Sequence, residues 1–92
     1  MSPELAQTIA LQALGWIISQ DELRDIFLGS TGGTASELAT NASDPALQAS
    51  VLEFLTMDDA WVIQFCDASG LKYDQPLQAR YALPGAEQVH WT

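Results

Sequence analysis

Apolar residues recur with a helical period from the start of the chain: Leu5, Ile9, Ala13, Trp16 and Ile17, with Leu14 and Ile18 widening the stripe. At about 100° per residue the polar positions Glu4, Thr8, Gln12, Gly15 and Ser19 collect on one narrow strip. A helix apolar around so much of its circumference is contacted from several sides. Ser2-Pro3-Glu4 reads as an N-cap, a first-turn proline and a first-turn acid. The pattern predicts a central helix over about residues 3–19.

Helix starts punctuate the rest. Ser19-Gln20-Asp21-Glu22 has the form of a capping box, opening a short helix with Leu23, Ile26, Phe27 and Leu28 that Gly29 stops. Thr34-Ala35-Ser36-Glu37 repeats the form before Leu38, Ala39 and Ala42. Asp44-Pro45 opens a helix whose face is Leu47, Val51, Phe54 and Leu55, with Ser50 and Glu53 opposite. Asp58-Asp59 opens another, with Trp61, Val62, Phe65 and Cys66 inside and Gln64 and Asp67 outside. Gly70 fits the left-handed position past its end. Asp74-Gln75-Pro76 starts a last short helix through Leu77, Tyr81 and Leu83, ended by Pro84-Gly85.

No sustained period-two alternation competes with these helices. The expected fold is all-α, a compact bundle of five to six short helices in one domain over residues 1–85, followed by a C-terminal tail, 86–92.

Charge changes the picture of partners. Twelve Asp and Glu face three Lys and Arg, a formal net charge of −9 on 92 residues. So few cations argue against nucleic acid, whose binding depends on displacing condensed counterions. The apolar fraction of 48% separates the chain from disordered acidic sequences. Only 16% of residues are charged, so much of the surface is Ala, Ser, Thr and Gln, which suits self-association better than a densely charged coat. The start Met1-Ser2-Pro3-Glu4 lacks the basic residues of a signal peptide. The longest apolar stretch, 9–18, is ten residues and too short to span a bilayer. A lone cysteine gives no internal disulfide. The expectation is a soluble cytoplasmic protein with no membrane partner.

Taken together, several segments resemble a known family. They are Ala10-Leu11-Gln12-Ala13-Leu14-Gly15-Trp16, Phe27-Leu28 followed by Gly32, and Asp44-Pro45 with Val51-Leu52-Glu53-Phe54-Leu55. Asp58, Phe65-Cys66, Gly70-Leu71 and Leu83-Pro84-Gly85 complete the set. The pattern is similar to small alpha-proteobacterial proteins grouped as a domain of unknown function, number 3572, over roughly residues 5–85. The resemblance implies an all-helical domain in a bacterial cytoplasm. Its elements are packing residues, caps and turns, so it brings no catalytic or ligand-binding residues with it. The Gly32-Gly33 pair and the Ala-rich third helix look weaker than the family pattern, which bears on the rigidity of residues 29–42.

Candidate chemistry is sparse. His90, the only imidazole, lies between Val89 and Trp91 in the unpatterned tail with no nearby nucleophile. Val89, His90 and Trp91 are the candidate partner-binding residues: an apolar, aromatic terminus packs back on the bundle or docks on a partner or a symmetry mate. Cys66 shares the apolar face with Val62, where a thiol is usually inert packing. One Cys and one His do not make a zinc site, and no twelve-residue calcium-loop spacing is present. Gly29-Ser30-Thr31-Gly32-Gly33 lacks the Lys-Ser/Thr end of a phosphate loop. Trp16, Trp61 and Tyr81 fit a core, yet any one of them lining an exposed apolar groove would mark a partner site.

No catalytic residue, cofactor site or metal site is therefore expected, and the chain reads as a non-enzyme. The expected role is a protein-interaction module, through a partner protein or self-association. Two alternatives are a charge mimic that regulates a basic protein, and a carrier of a small apolar ligand. Glu4, Asp21, Glu22, Glu37, Asp44, Asp58, Asp59 and Asp74 all fall at expected helix starts, eight of the twelve acids. Helix dipoles and free amides favour anions there, so much of the charge is folding punctuation.

Overall fold

The computed structural model describes residues 1–83. They form six helices: α1 (Pro3–Ser19), α2 (Asp21–Thr31), α3 (Ala35–Thr40), α4 (Pro45–Leu55), α5 (Asp59–Ser69) and α6 (Gln75–Ala82). No strand occurs among the described residues. Connections run from one residue (Gln20) to five (70–74).

Helix α1 is the axis on which the others pack, touching α2, α4, α5 and α6. Ala6, Ile9, Ala10, Ala13, Leu14 and Ile17 are buried along it, while Glu4, Thr8, Gln12, Gly15 and Ser19 stay exposed. Three alanines on the buried side let neighbouring helices approach closely. The core around this axis is built from Phe27, Val51, Leu52, Leu55 and Phe65. Each such side chain contributes roughly 1.5–3 kcal/mol through burial. Helices of 6 to 17 residues are marginal alone, so this shared core is what holds them.

The caps form largely as the sequence indicates. Ser2 Oγ accepts from the Leu5 amide at 3.2 Å, Asp44 Oδ1 from Ala46 at 3.0 Å and Asp58 Oδ1 from Ala60 at 2.8 Å. Thr34 Oγ1 accepts from the Glu37 amide and donates to its carboxylate. Gly70 ends α5 at φ 72°, a conformation that costs a residue with a Cβ.

Three expectations are corrected. The Ser19–Glu22 capping box does not form: α1 runs through Ser19, whose hydroxyl turns back to donate to the Trp16 carbonyl at 2.6 Å, and Gln20 caps α2 without a side-chain bond. Gly29 does not stop α2. The helix continues to Thr31 and ends at Gly32, φ 73°, because it is Gly32 that adopts the left-handed turn. In α6, Leu77 and Tyr81 face outward, and Pro76 and Ala79 are buried instead. That helix packs on both α1 and α4, and a small face allows the approach that Leu and Tyr would block.

Candidate functional site

The acids stand where local helix electrostatics favour them. Asp44, Asp58 and Asp74 are N-caps, and Glu4, Asp21, Glu22, Glu37 and Asp59 lie in first turns. The cations are largely engaged. Arg24 pairs with Asp21 at 3.3 Å and Asp25 at 3.6 Å. Arg80 Nη1 donates to Thr56 Oγ1 at 3.5 Å, at the C-terminal end of α4, where the helix dipole favours a cation. Among the described residues no group of three His, Cys, Asp or Glu side chains converges to hold a metal ion.

Cys66 is fully buried, and its Sγ donates to the Lys72 carbonyl at 3.4 Å. Burial pushes its thiol pKa up, and the nearby Asp67 and Asp74 charges add to the shift. A thiol held protonated and out of solvent is a poor nucleophile. Tyr73 donates to Asp67 Oδ1 at 2.7 Å, and this bond is the main reason its phenol pKa is raised.

Two clefts flank α2. The first, about 430 Å³, lies among α2, α3 and α4 and is lined by Ser30, Thr31, Glu37, Asn41, Asp44 and Ser50, among others. Its hydroxyls are already used: Ser30, Thr31 and Ser50 donate to carbonyls of their own helices. The second, about 240 Å³, lies between the first half of α2 and α5. Leu23, Ile26 and Trp61 supply its apolar surface, and Gln20, Asp21, Glu22 and Gln64 its polar rim. Trp61 is only half-buried, and Ile26 is 45% exposed.

Trp16, Trp61 and Tyr81 fit a core by sequence, with an exposed apolar groove as the alternative for any one of them, and one of the three, Trp61, lines this cleft. Trp16 is half-buried against Phe65, with ring centroids 5.8 Å apart. Tyr81 is exposed on α6, with the Arg80 guanidinium 5.8 Å from its ring centroid. The candidate partner residues Val89, His90 and Trp91 lie outside the described residues.

The chain matches, over residues 3–86, the family model described as a protein of unknown function, DUF3572. It belongs to this family. No curated protein and no solved structure matches the chain. The DUF3572 match covers all six helices and carries no assigned activity.

Gln48 is the residue that sequence patterning misses. It is the only buried polar side chain among the described residues. Nε2 donates to the Ala42 carbonyl at 3.0 Å, and Oε1 meets no donor. Its helical phase carries the signal: Gln48 shares the i, i+3, i+4, i+7 stripe with Val51, Leu52 and Leu55, all buried on α4. Among the described residues no helix is long and apolar enough to cross a membrane.

Proposed function

We propose that this DUF3572 domain is a non-enzymatic, acidic protein-interaction module of the bacterial cytoplasm, in an alpha-proteobacterial setting. The observation that supports it most is the α2–α5 groove, where Ile26 and a half-buried Trp61 present apolar surface beside Asp21 and Glu22. Trp is enriched among the few residues that carry most of the binding energy of protein interfaces. The inert surroundings of Cys66 add to the case against covalent chemistry.

The carrier alternative draws less support, because the broad apolar circumference of α1 is occupied by α2, α4, α5 and α6. Charge mimicry requires carboxylates in an array, whereas these acids are distributed over the starts of all six helices.

The test is affinity capture of the tagged protein from its native cytoplasm at ordinary and high salt, with sedimentation of the purified chain. A stoichiometric partner that binds the purified domain directly, or a defined oligomer, is the expected result. A monomer with no reproducible partner overturns the reading.

A further inference from the structure

Resting on that interaction reading, we propose that the α2–α5 groove docks a basic amphipathic helix of a partner protein. One apolar side chain of the partner seats between Ile26 and Trp61, and an adjacent Lys or Arg meets Glu22.

The groove has an apolar floor and an anionic rim. Leu23 is buried beneath it, while Ile26 is 45% exposed. Trp61 stacks on Phe54 at 4.9 Å, and Phe54 in turn meets Phe27 at 5.1 Å, so the indole is braced from behind by the core. A braced aromatic loses little conformational entropy when a partner covers its free surface. At about 240 Å³ the cleft is smaller than the roughly 300–1,000 Å³ typical of small-molecule pockets, a size that suits a protruding side chain.

Charge complementarity selects the occupant. No Lys or Arg lines the groove. Asp21 and Glu22 do, and Asp58 and Asp59 open α5 one turn before Trp61. The Glu22 side chain forms no ion pair or hydrogen bond with a described residue, so a partner cation displaces nothing. Arg24 is committed to Asp21 and Asp25. A second copy of this chain is a poor occupant, because each copy carries −9 and offers only three Lys and Arg. Anionic lipid surfaces and nucleic acids are repelled for the same reason. What remains is a cationic segment with apolar residues at helical spacing, the pattern of helix-in-groove recognition.

The experiment is a titration of the ¹⁵N-labelled full chain, followed by amide and indole resonances. Three synthetic 14-residue peptides serve as probes (about four helical turns): an amphipathic Leu/Lys helix, its Leu/Glu counterpart, and a Lys/Gln peptide without an apolar face. The Leu/Lys peptide is expected to shift the Trp61 indole, the Gln64 side-chain amide and the backbone of the first half of α2. Ile26→Asp and Glu22→Lys are each expected to weaken it at least tenfold, while the spectra keep the native fold. Glu4→Lys is the control, since Glu4 sits at the far end of α1, roughly 20 Å away along the helix. It is expected to weaken binding less than twofold.

Equal binding of the Lys/Gln peptide, equal loss in Glu4→Lys, shifts centred elsewhere, or no binding by any peptide each overturns the groove assignment. The interaction reading fails separately, when capture from the cytoplasm yields neither partner nor oligomer. A captured partner whose footprint lies on another face, such as Leu77 and Tyr81, sinks this inference and leaves that reading standing.

Discussion

The indole of Trp61 lies over the ring of Phe54, with centroids 4.9 Å apart and planes inclined by 25°. Phe54 is almost fully buried and Trp61 is not, so the pair connects the core to the surface. Trp61→Ala is expected to lower the unfolding free energy by about 2–3 kcal/mol, less than a fully buried aromatic loses. Trp61→Phe keeps a stacking partner and is expected to cost under about 1.5 kcal/mol. Urea unfolding of the two variants checks the order. Equal costs would show that the stack contributes nothing.

Gln48 ties the loop before α4 to that helix through the Ala42 carbonyl. Gln48→Ala opens a cavity and leaves that carbonyl unpaired, with an expected loss of about 1–3 kcal/mol. Gln48→Met loses the same bond but fills the space and removes the unpartnered Oε1, so it is expected to cost less. Gln48→Glu buries a carboxyl group. Its penalty relative to the native chain is expected to be larger at pH 8 than at pH 5, because only the protonated acid donates to Ala42. Denaturant midpoints at both pH values decide it.

Cys66 and Tyr73 each make stability depend on alkaline pH. Both keep their protons to higher pH when folded than when unfolded. Between the unfolded and folded pKa values the native state therefore holds more protons, and stability falls as pH rises. The Cys66 contribution is whole below the ordinary thiol pKa, about 8.5, and the Tyr73 contribution below the ordinary phenol pKa, about 10; each is lost as pH rises from there through the folded value. Cys66→Ala is expected to flatten the decline in thermal midpoint above about pH 8.5, and Tyr73→Phe only above about pH 10. A native Cys66 is also expected to react with a thiol reagent far more slowly than the urea-unfolded chain does. Equal rates would contradict its burial.

Caps that bond and caps that do not separate cleanly. Asp58→Ala removes an acceptor 2.8 Å from the Ala60 amide and is expected to cost about 1 kcal/mol. Asp74 caps α6 without a backbone bond, accepting only from Gln78 Nε2 at 3.0 Å, so Asp74→Ala is expected to cost under about 0.5 kcal/mol. Ser19→Ala is expected to be neutral or slightly stabilising, because Ser19 is helical and Ala has the better propensity. Thermal unfolding of the three variants tests the ranking.

Those contrasts also mark how far the sequence carries. The span of α1 and the caps at Ser2, Asp44 and Asp58 follow from local chemistry, and local chemistry is written in consecutive residues. Ser19 and Gly29 mislead because Ser19 offers a plausible start and Gly29 a plausible stop, and a neighbour takes each role. The outward turn of Leu77 and Tyr81 depends on how closely α6 approaches α1 and α4, a distance no single helix encodes. Gln48 differs: its phase with Val51, Leu52 and Leu55 places it on the buried stripe of α4, and only its polar side chain disguises that. The groove is not legible in the sequence: Trp16, Trp61 and Tyr81 look alike there, and the meeting of Trp61 with Ile26 and Glu22 depends on the fold.

The single residue Gln20 between α1 and α2 has a mechanical consequence. It leaves no slack for α2 to swing independently. The last turns of α1 also brace α5 through Trp16 and Phe65. Both walls of the groove are thus hung from the same end of one helix. A substitution that loosens the C-terminal end of α1 is therefore expected to disturb both walls at once, although it touches neither lip.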